Sequence, residues 1–150
     1  MGKEKTATKR AKMIFAFLAV LSLAIVVFQF HKDPSITHFV EQNYEELTQY
    51  AKNMIQTANA GESVIYKNFE VTYWENEDMV EFLAKKKGIG SSTNYVGFYY
   101  SPNDKPLGFQ GNQVNFIPSE SGWMWKESDG DNWEYTEKIL ECWYWFEIHF

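Results

Sequence analysis

The longest apolar stretch of the sequence is residues 13–30, where 18 residues carry no charge and only Ser22 and Gln29 are polar. A helix of this length spans about 27 Å, close to the thickness of the hydrocarbon core of a bilayer. We therefore expect a transmembrane helix. The alternative is a cleaved signal peptide, but the stretch ends in Phe28, Gln29 and Phe30, without the small residues of a cleavage site.

Residues 1–12 contain five basic residues and one acidic residue, so this segment carries a charge of +4. Positive charge flanking a membrane span stays in the cytoplasm. The pattern predicts a basic cytoplasmic tail at 1–12, an anchor at 13–30 and an extracytoplasmic domain at 33–150. The predicted location is the cell membrane, in a single pass with the C-terminal domain outside.

A second pattern follows, in which apolar residues recur every three or four positions. They are Ile36, Phe39, Val40, Tyr44, Leu47, Ala51, Met54, Ile55 and Ala58. This spacing is typical of an amphipathic helix, here about seven turns long. Asp33 and Pro34 are suited to its start, and Gly61 to its end.

Beyond this helix the apolar residues mostly alternate, as in β-strands. Residues 64–74 predict a strand with a bulge near Lys67, and residues 76–88 predict one short extra helix. Further strands are expected at 95–101, 107–110, 113–117, 123–126 and 142–150, with another strand or a turn of helix at 134–140. The predicted fold class is α+β, with the long amphipathic helix packed on an antiparallel sheet of five to six strands.

Charge and cysteine content narrow the function classes. The whole chain carries −6, so residues 13–150 carry −10. An acidic domain lacks the basic face that phosphate contacts require, so we expect no nucleic-acid partner. Cys142 is the single cysteine, which excludes an internal disulfide.

Several local clusters resemble parts of functional motifs but lack a required feature. In 85–92 the lysines and glycines follow a predicted helix, whereas a phosphate loop precedes one. In 127–132 the acidic residues lack one ligand position of a calcium loop. His38 with Glu41, Cys142 with a histidine, and the acidic residues of 70–78 have no identifiable partners for catalysis. The sequence therefore predicts no catalytic residue, no metal ligand and no cofactor.

Four tryptophans form the most distinctive candidate site. Trp143 and Trp145 share one face of the last predicted strand, and Trp123 and Trp125 share a face of an earlier strand. If these faces are exposed, the four residues form an aromatic binding surface. The alternative is ordinary aromatic packing in the core.

The predicted function is a membrane-anchored binding or assembly module that engages the bilayer through 13–30 and a protein partner in the cell envelope. An alternative is glycan or small-ligand binding through the tryptophans. A third hypothesis is an extracytoplasmic hydrolase, which requires His149, Cys142 or the acidic residues of 75–78 to meet in a cleft.

Overall fold

The computed structural model describes residues 33–89 and 92–150. Two helices come first, α1 (Pro34–Gln42) and α2 (Tyr44–Thr57). Eight strands follow: β1 (Ser63–Tyr66), β2 (Phe69–Trp74), β3 (Met79–Ile89), β4 (Ser92–Tyr100), β5 (Ile117–Ser119), β6 (Gly122–Lys126), β7 (Trp133–Leu140) and β8 (Trp143–His149). Short 3-10 turns lie at Asn76–Asp78 and Phe109–Gly111.

The eight strands form one antiparallel sheet in the order β1-β2-β3-β4-β8-β7-β6-β5. Each half is a meander of four strands, and the halves join where β4 pairs with β8. The segment 101–116 connects β4 to β5. The α+β class with an antiparallel sheet is confirmed, but the predicted number of five to six strands is wrong.

The predicted long helix is also wrong, because it is divided at Asn43. The backbone of Asn43 leaves the helical region at φ −114° and ψ 18°. Its side-chain Nδ2 donates to the carbonyl of Phe39 at 2.8 Å. An asparagine side chain that bonds the preceding turn in this way competes with continuation of the helix. The result is two short helices, the second of which ends at Thr57, before the predicted stop at Gly61.

Two further elements differ from the prediction. The expected single strand at 64–74 is a hairpin, since Lys67 and Asn68 adopt positive φ angles of 48° and 71°. These are the angles of a two-residue hairpin turn. The expected short helix at 76–88 is strand β3, preceded by a 3-10 turn. Both faces of β3 are covered, so apolar residues occupy consecutive positions and hide the alternation of a strand.

The predicted transmembrane segment at 13–30 lies outside the described residues. Among those residues, no helix is both long and apolar enough to span a membrane.

The sheet has a core on each side. On the side that we call the helix face, Phe82, Phe98 and Trp143 pack beneath α1 and α2 with rings 4.7 to 5.8 Å apart. On the opposite side, the loop face, the segment 101–116 covers the strands and Leu107 is buried. The buried loop-face cluster is Met79, Tyr99, Leu107, Tyr144, Phe146 and Ile148.

Candidate functional site

The loop face is only partly covered, and a cleft remains over strands β1 to β4. We call it the Glu81 cleft. It has a volume of about 220 Å³. Its polar lining is Ser63, Glu70, Thr72, Glu81, Lys86 and Gln110, and its aromatic lining is Trp74, Tyr95 and Phe109.

Glu81 is a buried member of the cleft lining because of the register of β3. It lies between Thr72 of β2 and Tyr99 of β4, and only 6% of its surface is exposed. One carboxyl oxygen accepts a hydrogen bond from the backbone N–H of Gln110. The other, Oε2, has no partner within the described part of the chain.

The burial of Glu81 changes its chemistry. Its pKa is raised from 4.5 to about 7, mainly by desolvation and to a smaller extent by the nearby carboxyl groups of Glu70 and Glu134. The Gln110 N–H opposes this shift because it stabilises the charged form. At neutral pH the carboxyl therefore exists in both protonation states.

The 3-10 turn at Phe109–Gly111 brings the Gln110 N–H to Glu81. Gln110 has a positive φ of 58°, and Gly111 follows with φ 73°. A side chain at Gly111 would meet the carbonyl oxygen of Asn76 at 2.3 Å, so only glycine fits there. The tight turn is thus a local requirement of the sequence that shapes one wall of the cleft.

Trp74 is the second unusual group in the Glu81 cleft. Its indole Nε1 is buried and has no hydrogen-bond partner among the described residues. Nearby, the rings of Tyr95 and Phe109 lie 5.3 Å apart, and Lys86 Nζ lies 5.4 Å from the Tyr95 ring. The lining of the cleft therefore combines aromatic side chains with one acceptor and one donor that lack partners in the described part of the chain.

A second buried carboxyl anchors the covering segment. Glu134 Oε2 accepts a hydrogen bond from the Phe109 N–H at 3.0 Å, and burial raises its pKa. Tyr99 Oη also accepts from the Leu107 N–H at 2.9 Å. A small cavity of about 10 Å³ lies beneath this cover, which is the space of one water molecule.

The four predicted tryptophans lie on two different faces. Trp143 and Trp145 are buried on the helix face, with 0% and 2% of their surfaces exposed. Trp143 Nε1 donates to Thr48 Oγ1 of α2 at 3.0 Å. Trp123 and Trp125 are half-buried on the loop face, where Trp123 packs against Tyr144. The four side chains do not form one surface, and binding through Trp123 and Trp125 stays a prediction.

The residues considered for catalysis are dispersed. Cys142 lies at the turn before β8, and burial raises the pKa of its thiol. His149 lies at the other end of β8, seven residues away, about 23 Å along a strand. The acidic residues 75–78 form the turn between β2 and β3. Across residues 33–89 and 92–150, no three His, Cys, Asp or Glu side chains are arranged to hold a metal ion.

The first edge of the sheet is a further candidate. Strand β1 exposes Val64 by 45% and Ile65 by 76%. Val71, which is opposite Val64, is buried in the adjacent strand. Exposed apolar residues on an edge strand are typical of a site where another strand pairs.

Sequence reasoning missed both the Glu81 cleft and this edge. The available signal for Glu81 was one charged residue inside the apolar run 79–83, but this run was predicted to be part of a short helix. The edge was missed because 64–74 was interpreted as a single strand.

Comparison with known proteins gives no match: no protein-family model, no curated protein and no solved structure is significantly similar to this chain.

Proposed function

We propose that this chain is a binding and assembly module, held at the outer surface of a cell membrane by residues 13–30, that captures an extended segment of a partner protein along β1. The exposure of Val64 and Ile65 on an edge strand carries the proposal. Strand addition of this kind supplies backbone hydrogen bonds for affinity and side-chain pockets for specificity.

The hairpin geometry favours pairing at this edge. Tyr66 and Phe69 close the two-residue turn, so they form the hydrogen-bonded pair. The next pair, Ile65 and Glu70, is then non-hydrogen-bonded, and the N–H and C=O of Ile65 point away from β2. Ser63 repeats this orientation two residues earlier. An incoming strand finds free donors and acceptors beside the exposed Ile65 side chain.

The other edges carry features that oppose pairing. Strand β5, at the far edge, has three residues, and one of them is Pro118. The end of β3 extends beyond β2 and carries Lys85, Lys86 and Lys87. Proline and lysine are the residues with which proteins block unwanted pairing at sheet edges. Strand β1 has neither residue.

Charge indicates the composition of the partner segment. Residues 13–150 carry −10. Complementary charge increases the rate of encounter and excludes wrong partners. The best-matched partner segment has apolar residues that pair with β1 and basic residues on either side.

An Ile65→Lys substitution in the full-length chain tests the proposal. A lysine side chain is tolerated at this exposed position of β1, so the strand should still form. Lysine on an edge strand opposes pairing with another strand. We expect quantitative co-purification of the partner from native membranes to fall at least tenfold. Ile117→Lys is the matched control, since Ile117 is 64% exposed on the opposite edge, and it should leave co-purification unchanged.

Hydrogen exchange identifies the pairing itself. In the complex, the amides of Ser63 and Ile65 should become protected, because a new strand accepts their hydrogen bonds. Equal co-purification by both variants, or a complex in which these amides exchange as fast as in the free chain, would contradict the proposal. Protection that appears with rising protein concentration alone would identify the occupant as a second copy, which also contradicts it.

A further inference from the structure

Glu81 and Trp74 both line the Glu81 cleft, and each has a buried polar atom without a hydrogen-bond partner among the described residues. Such unpaired buried atoms are rare in folded proteins. One is an acceptor, Glu81 Oε2, and the other is a donor, Trp74 Nε1. Leaving such groups unpaired opposes folding, so their presence together in one cleft indicates a molecule that pairs with them.

We propose that the Glu81 cleft binds a neutral, hydroxyl-rich ligand about the size of one sugar ring, which hydrogen-bonds to Glu81 and Trp74. This ligand is distinct from the partner strand proposed for β1, although Ser63 of β1 also lines the cleft. A hydroxyl group both donates and accepts, so adjacent hydroxyls of one ring serve the carboxyl and the indole together.

Charged groups of both signs in the cleft disfavour anionic and cationic ligands. The carboxyl groups of Glu70 and Glu81 repel an anionic ligand. A cationic ligand is disfavoured because Lys86 already lies over the Tyr95 ring, at 5.4 Å from its centroid. A neutral polar ligand avoids both repulsions.

The aromatic lining and the volume agree with a sugar ring. The rings of Trp74 and Phe109 offer apolar surface to the C–H face of a saccharide, while the polar residues face its hydroxyls. The volume of about 220 Å³ lies below the range of about 300 to 1,000 Å³ of sites for drug-sized ligands. It exceeds the volume of about 30 Å³ that one water molecule occupies in liquid water.

Isothermal titration calorimetry on the full-length chain tests the proposal. The neutral probes are glucose, N-acetylglucosamine and the trisaccharide of N-acetylglucosamine. Glucosamine supplies a cation and glucose 6-phosphate an anion on the same ring. We expect saturable binding of at least one neutral probe, and binding at least tenfold weaker for both charged probes.

Variants at Trp74 and Glu81, with one control, locate the site. Trp74→Phe keeps an aromatic ring and removes the donor, so it should weaken binding about five- to tenfold. Trp133→Phe makes the same change at a half-buried tryptophan of β7 outside the cleft and should not alter the affinity. Glu81→Leu should abolish binding, and the Trp74 pair decides the result if this variant does not fold.

The trisaccharide separates two sources of the ligand. Equal affinity for the monosaccharide and the trisaccharide indicates a free sugar, whereas a clear preference for the trisaccharide indicates a glycan chain. Either result supports the proposal. It is overturned if no neutral probe binds, if the charged probes bind as tightly as the neutral ones, or if Trp74→Phe and Trp133→Phe have equal effects.

Discussion

Both faces of the sheet bury aromatic side chains, but a buried carboxyl group has different surroundings on each face. On the helix face, the buried carboxyl of Glu137 accepts hydrogen bonds from Ser121 at 2.9 Å and Tyr135 at 3.2 Å. On the loop face, Glu81 Oε2 lies buried without a partner among residues 33–89 and 92–150. Two neutral helix-face donors, Thr37 Oγ1 and Trp145 Nε1, also lack partners, but neither lines the Glu81 cleft.

This difference indicates a division of roles. Regular helices over one face produce a close-packed aromatic core, which supports the stability of the domain. The irregular segment 101–116 over the other face leaves a cleft with unpaired polar groups. Unpaired groups that lower stability are expected where a protein binds its ligand.

The largest expected effect is the loss of a helix-face ring. Phe98 is fully buried, and rings of Phe69, Phe82 and Trp143 lie 4.7 to 5.8 Å from it. Phe98→Ala should lower the free energy of unfolding by about 3–5 kcal/mol, measured by chemical denaturation.

Leu107→Ala is the comparison on the loop face. Leu107 is also buried, but it belongs to an irregular segment that can relax into the space. We expect a cost of about 2–3 kcal/mol, at the lower end of the range for such substitutions. A larger cost for Leu107→Ala than for Phe98→Ala would contradict the division of roles between the faces.

The next expected effect is an increase in the free energy of unfolding, produced by a substitution at Glu81. The folded-state pKa of Glu81 is about 7 and the unperturbed value is 4.5. The folded state therefore binds more protons between these pH values, and the free energy of unfolding falls as pH rises from 4.5 to 7. Glu81→Gln removes the ionisable group, so it should stabilise the protein by about 2–3 kcal/mol at pH 8.

At pH 4 the same variant should match the parent, because Glu81 is then protonated in both the folded and the unfolded state. Denaturation curves of both proteins between pH 4 and pH 8 provide the comparison. A parallel pH dependence for parent and variant would show that Glu81 is not buried as described.

Sequence reasoning placed helical structure and several strands in the right parts of the chain. The apolar spacing of Ile36, Val40, Leu47 and Ala51 marks the helices because their outer sides face water. Alternation likewise located the strands near 95–101, 123–126 and 142–150, where the structure has β4, β6 and β8. The break at Asn43 depends on one side-chain hydrogen bond, which spacing does not encode.

Sequence reasoning did not predict the Glu81 cleft. Strand β3 is covered on both faces, so Glu81 interrupts an apolar run without indicating its surroundings. The cleft also depends on the path of 101–116, which brings Phe109 and Gln110 over β3 from more than 25 positions away. Sequence spacing does not predict such a crossing of an irregular segment.

A further substitution tests how much a paired indole N–H stabilises the helix face. Thr48→Val removes the acceptor for Trp143 Nε1 and leaves a buried indole N–H unpaired, as Trp74 has in the cleft. The expected cost is about 1–2 kcal/mol in denaturation experiments. Thr57→Val is the control, since the Thr57 hydroxyl donates to Asn53 O at an exposed position and its loss should have little effect.

The smallest effect concerns the start of α1. Asp33 accepts a hydrogen bond from the Ser35 N–H at 2.9 Å and pairs with Lys85 of β3 at 2.6 Å. Asp33→Ala removes both contacts and should cost about 1 kcal/mol. Asp33→Asn keeps a capping oxygen and loses only the exposed ion pair, so it should cost less than about 0.5 kcal/mol.

The pKa of Asp33 gives this contribution a pH dependence. The hydrogen bond from Lys85, followed by that from Ser35, lowers the pKa from 3.8 to about 2. The stabilisation is present above pH 3.8 and is lost as pH falls through 2. Equal stability of Asp33→Ala and the parent at pH 6 would show that neither contact stabilises α1.

The titration of Glu81, followed by carbon-13 NMR of the side-chain carboxyls in the full-length chain, tests whether the loop face holds a buried, unpaired carboxyl. Glu81→Gln assigns the signal, and Glu46 serves as an internal reference because its hydrogen bond from Lys67 lowers its pKa below 4.5. We expect Glu81 to titrate near pH 7. A midpoint near 4.5 would show a solvated carboxyl and contradict the contrast between the two faces.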